Sequence, residues 1–180
     1  MTAPGERPGL VPRAPGMSSP LEPAVGMARL VPMDPRDFDP FIERLVREYA
    51  ADHVRLGRWT AEEGVSKARE ETEKLLPKGL ETPDNLLFTI LAGSPEEKVG
   101  AIWLAIEPRG AFIYDLIVFE PYRRRGYAEE GMRLIEAVAR EQGAQRISLH
   151  VFGDNQGARK LYSKLGYSET NVMMSKPLGA

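Results

Sequence analysis

The chain has 180 residues, a formal net charge of -2, 42% hydrophobic residues and 28% charged residues, a composition typical of a globular protein with one core. It has no cysteine and only two histidines, which excludes a disulfide framework and a cysteine nucleophile and argues against any metal site. The near-neutral charge argues against broad nucleic-acid binding. No apolar run approaches the roughly 20 residues that cross a membrane. We therefore expect a cytoplasmic protein that binds neither nucleic acid nor a membrane.

The N-terminal stretch has an unusual composition. Residues 1–26 contain six prolines among glycines and other small residues. Such a segment cannot bury enough apolar surface to offset its chain entropy. We therefore predict a disordered tail over 1–26 and one domain over 27–180, with Met27 as an alternative natural start that would make the tail an upstream extension.

Two helices are predicted in the first half of the chain. Asp39 and Pro40 have the pattern of an N-cap followed by proline at the first helical position, and that helix ends at Gly57. Thr60 and Glu63 form a capping box for a second helix that runs to about residue 76. The second helix has only a thin apolar stripe and is expected at the rim of the fold as a lid. The stripe comprises Val65, Ala68, Thr72 and Leu75 or Leu76.

The remaining elements alternate between extended and helical patterns. A short first strand is predicted over 28–31. Apolar runs over 85–91, 99–106 and 111–119 predict three strands of an antiparallel meander in a sheet covered on both faces. Helical spacing then predicts a helix over 128–142 and a short helix over 156–165, each ended by a glycine. A strand is predicted between them over 146–152, and closing strands over 167–176.

The stretch from Asp115 to Ala128 joins a predicted strand to a helix through three arginines and a glycine. A small residue before a helix leaves backbone N–H groups and the positive end of the helix dipole open, and guanidinium groups match phosphate oxygens. The stretch therefore predicts a diphosphate site, with a solvated basic turn as the alternative, because short motifs also match by chance. It lacks the glycine patterns of dinucleotide folds and nucleotide P-loops.

Two motifs resemble those of a known family. R-x-x-G-x-A at Arg123 to Ala128 is similar to the acetyl-coenzyme A signature of the GNAT superfamily of N-acetyltransferases, and LYSKLGY at 161–167 is similar to the family's LYxKxGF segment, with Asn155 preceding it. The likeness covers residues 39–177 in layout and is sharp over 116–167. It implies an α/β fold with a mixed, mostly antiparallel, splayed sheet of about six to seven strands flanked by about four helices. It also implies an acetyl-CoA-dependent enzyme that acetylates a primary amine by direct attack and releases coenzyme A.

The resemblance also implies where acetyl-CoA binds. The backbone around Ile117 and Val118 would pair with the pantetheine arm, and an N–H there would face the thioester oxygen. The loop after that strand would hold the pyrophosphate. Asn155 would hydrogen-bond the arm, cap the following helix, or do both. The implied set is Ile117, Val118, Arg123, Arg124, Arg125, Gly126, Tyr127, Ala128, Glu129 and Asn155.

The resemblance makes Tyr162 the proton donor to the departing thiolate, because a phenol with a pKa near 10 is protonated at neutral pH. A core tyrosine is the alternative. His150 occupies the position of a glutamate that serves as general base in several protein-acetylating relatives, and it could equally be a satisfied strand histidine. Asp115 and Glu120 are secondary candidates for the base, and many relatives use water alone.

The acceptor side is the least defined part of the sequence. Tyr49, His53, Arg55 and Trp59 could line the acceptor pocket together with Asp115, although His53 could instead be a core residue. A small molecule, an antibiotic and a protein N-terminus all remain open as acceptors. Two other functions are compatible with the motifs: a non-catalytic acyl-CoA binding or sensing module, and a nucleic-acid binder that uses the arginines. The closing strands could also pair with a second subunit to form a homodimer.

Overall fold

The computed structural model describes residues 28–174 and residue 176. The predicted disordered tail over 1–26 and Met27 lie outside this part of the chain. The described part contains five strands, four α-helices and two short 3-10 turns. In chain order they are β1 (Arg29–Pro32), α1 (Pro35–Arg55), α2 (Ala61–Leu75), a turn at Gly79–Glu81, β2 (Asn85–Ala92), β3 (Glu97–Glu107), β4 (Gly110–Val118), a turn at Glu120–Tyr122, α3 (Tyr127–Glu141), β5 (Ile147–Leu149) and α4 (Gln156–Lys164).

The strands form one sheet in the order β1-β2-β3-β4-β5. The first four are antiparallel neighbours, which confirms the antiparallel arrangement predicted for β2, β3 and β4 and adds β1 beside β2, and β5 runs parallel to β4. The expected count of six to seven strands is too high, because no strand forms among the described residues of 167–176. Two features explain this: β5 has only three residues to offer a partner, and Ser168 to Asn171 is polar throughout.

Helices cover both faces of the sheet, as predicted. On one face, α3 packs on β3 and β4 through a cluster that includes Met132, Ile135 and Leu104, with Tyr162 and Leu165 of α4 against its edge. On the other face, Phe41 of α1 and Leu76 pack on Trp103 and on neighbouring residues of the central strands. The middle of β3 is consequently buried on both sides. This fixes β4, its neighbour, in position.

The predicted start of α1 was wrong. The helix begins at Pro35, not at Pro40, and Asp34 is its N-cap, with Oδ1 accepting a hydrogen bond from the Arg36 N–H at 2.9 Å. The sequence contains the cap-plus-proline pattern twice, and the earlier copy extends the helix so that Phe38 also packs against the sheet. Pro40 lies inside the helix, at the cost of one backbone hydrogen bond.

The capping box of α2 is confirmed, with the Glu63 N–H donating to Thr60 Oγ1 at 3.3 Å and the Thr60 N–H donating to Glu63 Oε1 at 3.2 Å. Its predicted stripe is confirmed at Ala68, Thr72 and Leu76, which are buried, and is wrong at Val65, which is exposed, while Gly64 is buried in addition. A Cβ on Gly64 would lie 3.1 Å from Val54 Cγ2, so small residues allow α2 to pack closely on α1. Across the described range, no helix combines the length and the apolar character that crossing a membrane requires.

Candidate active site

A gap opens in the sheet between β4 and β5. The two strands pair only from Ala111 opposite Ile147 to Ile113 opposite Leu149. β4 then continues to Val118, whereas β5 stops at Leu149, short of the predicted end at residue 152. Within the described residues, the far half of β4 therefore has a strand partner on one side only. An extended ligand could pair with its free edge.

A β-bulge marks the point where the gap begins. Trp103 lies opposite Asp115 and Leu104 lies opposite Ile113, which leaves Tyr114 as the extra residue of β4. Because the bulge interrupts strand alternation, Asp115 shares the face of its neighbour Trp103, the face that α1 covers. The Tyr114 ring stacks on Trp103 with centroids 4.5 Å apart. The bulge thus directs the one carboxylate of β4 toward the α1 side.

The backbone beyond the bulge has a defined orientation. The Phe119 N–H donates to the Val99 carbonyl of β3 at 2.9 Å, so alternation directs the peptide groups of Ile117 toward β3 and those of Val118 and Leu116 toward the gap. The Val118 carbonyl accepts a hydrogen bond from Arg123 Nε at 3.1 Å. Of the two predicted residues, Val118 therefore presents its N–H to the gap, and Ile117 belongs to the β3 ladder.

The predicted phosphate loop lies at the end of β4. Arg124 and Gly126 have φ values of +64° and +87°, and Gly126 is the N-cap of α3. Within the part of the chain that the structure describes, the N–H groups over 124–129 have no hydrogen-bond acceptor. Tyr127 is buried and anchors the start of the helix, whereas the three arginines are exposed. The carboxylate of Glu129 accepts hydrogen bonds from Lys164 of α4 and Arg133, so it braces α3 against α4.

Helix α4 carries the two other motif residues. Asn155 is its N-cap, with Oδ1 accepting from the Ala158 N–H at 3.1 Å. Tyr162 is half-buried beside the α3 cluster, and burial raises the pKa of its phenol, with a further contribution from the negative charge of Asp115. The phenol therefore stays protonated at neutral pH and lies close enough to Asp115 to interact with it electrostatically.

Asp115 forms an ion pair with a residue that the sequence did not single out. Its Oδ2 lies 2.5 Å from Arg44 Nη2 of α1, and Arg44 Nη1 lies 2.6 Å from Glu48 Oε2. The side chains of Arg44 and Asp115 are 17% and 15% exposed. Burial raises the pKa of Asp115, Arg44 opposes this effect, and Glu48 adds to it. Sequence spacing suggests only a surface pair between Arg44 and Glu48, since nothing connects α1 to a strand 71 residues away.

His150 lies just after β5 and is exposed. Its ring meets the edge of Phe152 at a centroid distance of 5.0 Å. His150 and Tyr162 line the same cavity, of about 1310 Å³, which lies between β5, α4 and the extended segment that follows α4. The third candidate base, Glu120, is exposed in the turn after β4.

The predicted acceptor residues of the first helix form an aromatic cluster. The His53 ring stacks on Trp59 at 4.0 Å and meets the edge of Tyr49 at 4.4 Å, with Phe152 at 6.3 Å. Burial lowers the pKa of His53, and its buried Nδ1 has no hydrogen-bond partner among the described residues. Tyr49 donates to Glu71 at 2.9 Å, and burial and this bond raise its pKa to about 12. Arg55 links the end of α1 to Asp154, so the cluster connects α1 with the segment after β5.

Comparison with known proteins gives consistent matches. The model of the acetyltransferase (GNAT) family matches residues 51–167. The uncharacterized N-acetyltransferase YycN of Bacillus subtilis is 39% identical over 153 residues, which is 83% of this chain and 97% of the relative. The uncharacterized N-acetyltransferase YdgE of the same organism is 33% identical over 150 residues, covering 81% and 95%. The crystal structure of YycN superimposes with a TM-score of 0.80 at 38% identity, covering 85% of this chain and 99% of that one.

Proposed function

We propose that this chain, which belongs to the GNAT family of acetyltransferases and is an N-acetyltransferase, moves an acetyl group from acetyl-CoA to a primary amine by direct attack. The observation that carries the proposal is the gap between β4 and β5. It offers a free strand edge at Val118 that leads directly to the open N–H groups of the 124–129 loop. A ligand with an extended amide-bearing arm and a diphosphate matches both features at once.

The loop supplies the diphosphate end of this site. Arg123, Arg124 and Arg125 provide guanidinium groups around the start of α3, where the helix dipole favours negative charge. Gly126 gives the backbone a conformation with positive φ that leaves the following N–H groups facing outward. Toward the thioester end, the Val118 N–H is the donor available to polarise the carbonyl oxygen.

Two side chains would then move protons. Tyr162 would give its proton to the departing thiolate, as expected for a phenol whose pKa is kept high. For the base, Asp115 is favoured over His150, because it lies on the strand that borders the gap and its side chain is held by Arg44, whereas His150 is exposed. His150, with Tyr49, His53 and Trp59, would instead shape the acceptor entrance. No covalent enzyme intermediate is needed, since the chain has no cysteine.

A screen of amines with detection of free thiol tests the proposal directly. The purified chain is mixed with acetyl-CoA and with small amines, aminoglycosides and peptides with free N-termini, and thiol release above the amine-free rate is expected with at least one class. Acetyl-CoA binding by calorimetry without thiol release from any amine would instead support the acyl-CoA binding module. Polyanion binding that acetyl-CoA cannot displace would support the nucleic-acid binder.

The two roles of Asn155 can be separated by substitution. Serine caps helices about as well as asparagine but lacks the amide donor, so Asn155→Ser should change unfolding free energy by only a few tenths of a kcal/mol and weaken acetyl-CoA binding roughly two- to tenfold. Asn155→Ala should lose the cap as well, at about 0.5–2 kcal/mol. Denaturant melts and calorimetry measure the two quantities. Wild-type affinity in the serine variant would restrict Asn155 to capping.

A further inference from the structure

We propose that Arg44 is a positioning residue for acetyl transfer: shared between Glu48 and Asp115, it holds the Asp115 carboxylate at the edge of the gap, where that carboxylate accepts the proton of the acceptor amine. The inference rests on the proposed function and extends it to residues outside the family motifs. It starts from one ion-pair network that joins α1 to β4.

The geometry of Arg44 suits this role. Its two terminal nitrogens are engaged separately, Nη2 by Asp115 and Nη1 by Glu48. The guanidinium also lies over the ring of the buried residue Phe41, with its Cζ 5.1 Å from the ring centroid. A planar group fixed at both ends and on one face has little freedom to rotate. It therefore fixes the direction of the Asp115 carboxylate.

The bulge at Tyr114 is the reason that Asp115 reaches Arg44. Regular alternation along β4 would place residue 115 on the face opposite residue 114, toward α3. With the extra residue, Asp115 lies opposite Trp103 and faces α1. The irregularity therefore turns the carboxylate of a strand that borders the gap toward α1, within reach of the Arg44 cation.

The charges that face Asp115 act in opposite directions. The charged groups on α1 that face Asp115 are Arg44 and Glu48, and burial together with the Asp115 charge raises the pKa of Tyr162 on α4. Burial and the Glu48 charge raise the pKa of Asp115, and Arg44 opposes both. A base works best when its pKa approaches the working pH while it is still ionised. Arg44 and Glu48 together set this balance.

The proton balance of the transfer is as follows. The acceptor's ammonium group gives one proton to the Asp115 carboxylate, and the neutral nitrogen forms the new C–N bond as the C–S bond breaks. Tyr162 gives its proton to the sulfur, and the second proton leaves the nitrogen through water and restores the Tyr162 phenol. Asp115 returns its proton to water, so each turnover releases one proton to solvent.

The test is the pH dependence of kcat/KM for an amine found in the screen, at saturating acetyl-CoA. In Arg44→Met, loss of the cation should raise the pKa of Asp115. The acid limb, which is the fall of kcat/KM at low pH, should then move about 1–3 pH units upward. In Glu48→Gln, loss of the anion should move the acid limb downward. Arg44→Lys should bring the limb back toward its wild-type position. The amine's own titration is the same in every variant, so differences between variants come from the enzyme.

Opposite shifts support the inference, because a merely structural role would lower activity without moving the limbs in opposite directions. If the wild type is active and the acid limb of the kcat/KM profile does not move in the variants, or moves in the same direction in Arg44→Met and Glu48→Gln, this inference is overturned and the proposed function is not. No turnover of any amine by the wild type would overturn it together with the proposed function. If Arg44→Met does not fold, Glu48→Gln and Arg44→Lys still decide, since Glu48 is 54% exposed and lysine retains the charge.

Discussion

Tyr162→Phe is expected to lower kcat by about 100- to 10,000-fold, the range in which general acids contribute to catalysis. The phenyl ring keeps the packing of α4 against α3, so stability should change little. Only the hydroxyl that we propose as the proton donor to the thiolate is lost. Because that proton moves after acetyl-CoA has bound, the dissociation constant of acetyl-CoA should not change. Single-turnover thiol release and calorimetry on the same preparation measure both quantities.

Tyr167→Phe is the matched control for this substitution. Its ring lies 5.8 Å from that of Tyr162 and also packs against the α3 cluster, so the control makes the same chemical change in the same environment. It should retain kcat within a few-fold. If Tyr162→Phe keeps wild-type turnover with every active amine, Tyr162 is not the acid. If both variants lose activity equally, the cause is the packing of α4.

The local signals in the sequence predicted most of the fold. Continuous apolar runs located β2, β3 and β4, and the capping box and the glycine after α3 marked helix ends, because these features depend on neighbouring residues. Where two copies of a local signal competed, as with the two aspartate–proline pairs near the start of α1, the wrong copy was chosen. Packing of Phe38 against the sheet favours the earlier copy, and the sequence does not report it.

The sequence singled out the loop after β4 and the α4 residues of the candidate site, but it did not single out the contact between Asp115 and Arg44, for a physical reason. The phosphate loop and the α4 residues lie in contiguous motifs, whereas the environment of Asp115 depends on a bulge and on a helix far away in sequence. One extra residue in β4 reverses the face of every side chain that follows, and composition does not reveal it. Arg44 therefore looked like one more surface arginine.

Gly100 is another residue that only the structure reveals. A Cβ at this position would lie 2.2 Å from the Ile117 carbonyl oxygen and 3.2 Å from Val118 Cα. Both neighbours are backbone atoms, so neither can rotate away. The absence of a side chain at Gly100 thus allows β3 and β4 to approach closely beside Val118, at the far end of the gap.

Gly100→Ala should therefore displace the Ile117–Val118 backbone toward the gap. We expect a loss of about 1–3 kcal/mol in unfolding free energy, the usual cost of overpacking, and about tenfold or greater weakening of acetyl-CoA binding, which corresponds to 1.4 kcal/mol. Chemical denaturation and calorimetry measure the two effects, and the amide signals of 116–119 in an NMR spectrum should move.

Gly153→Ala is the appropriate control, because a Cβ there meets no atom within 4 Å and its φ is not positive. It should keep both stability and affinity. If the amide signals of 116–119 moved in Gly100→Ala and the variant still bound acetyl-CoA as the wild type does, the backbone of Val118 would not belong to the cofactor site, because a displaced N–H cannot keep the same hydrogen bond.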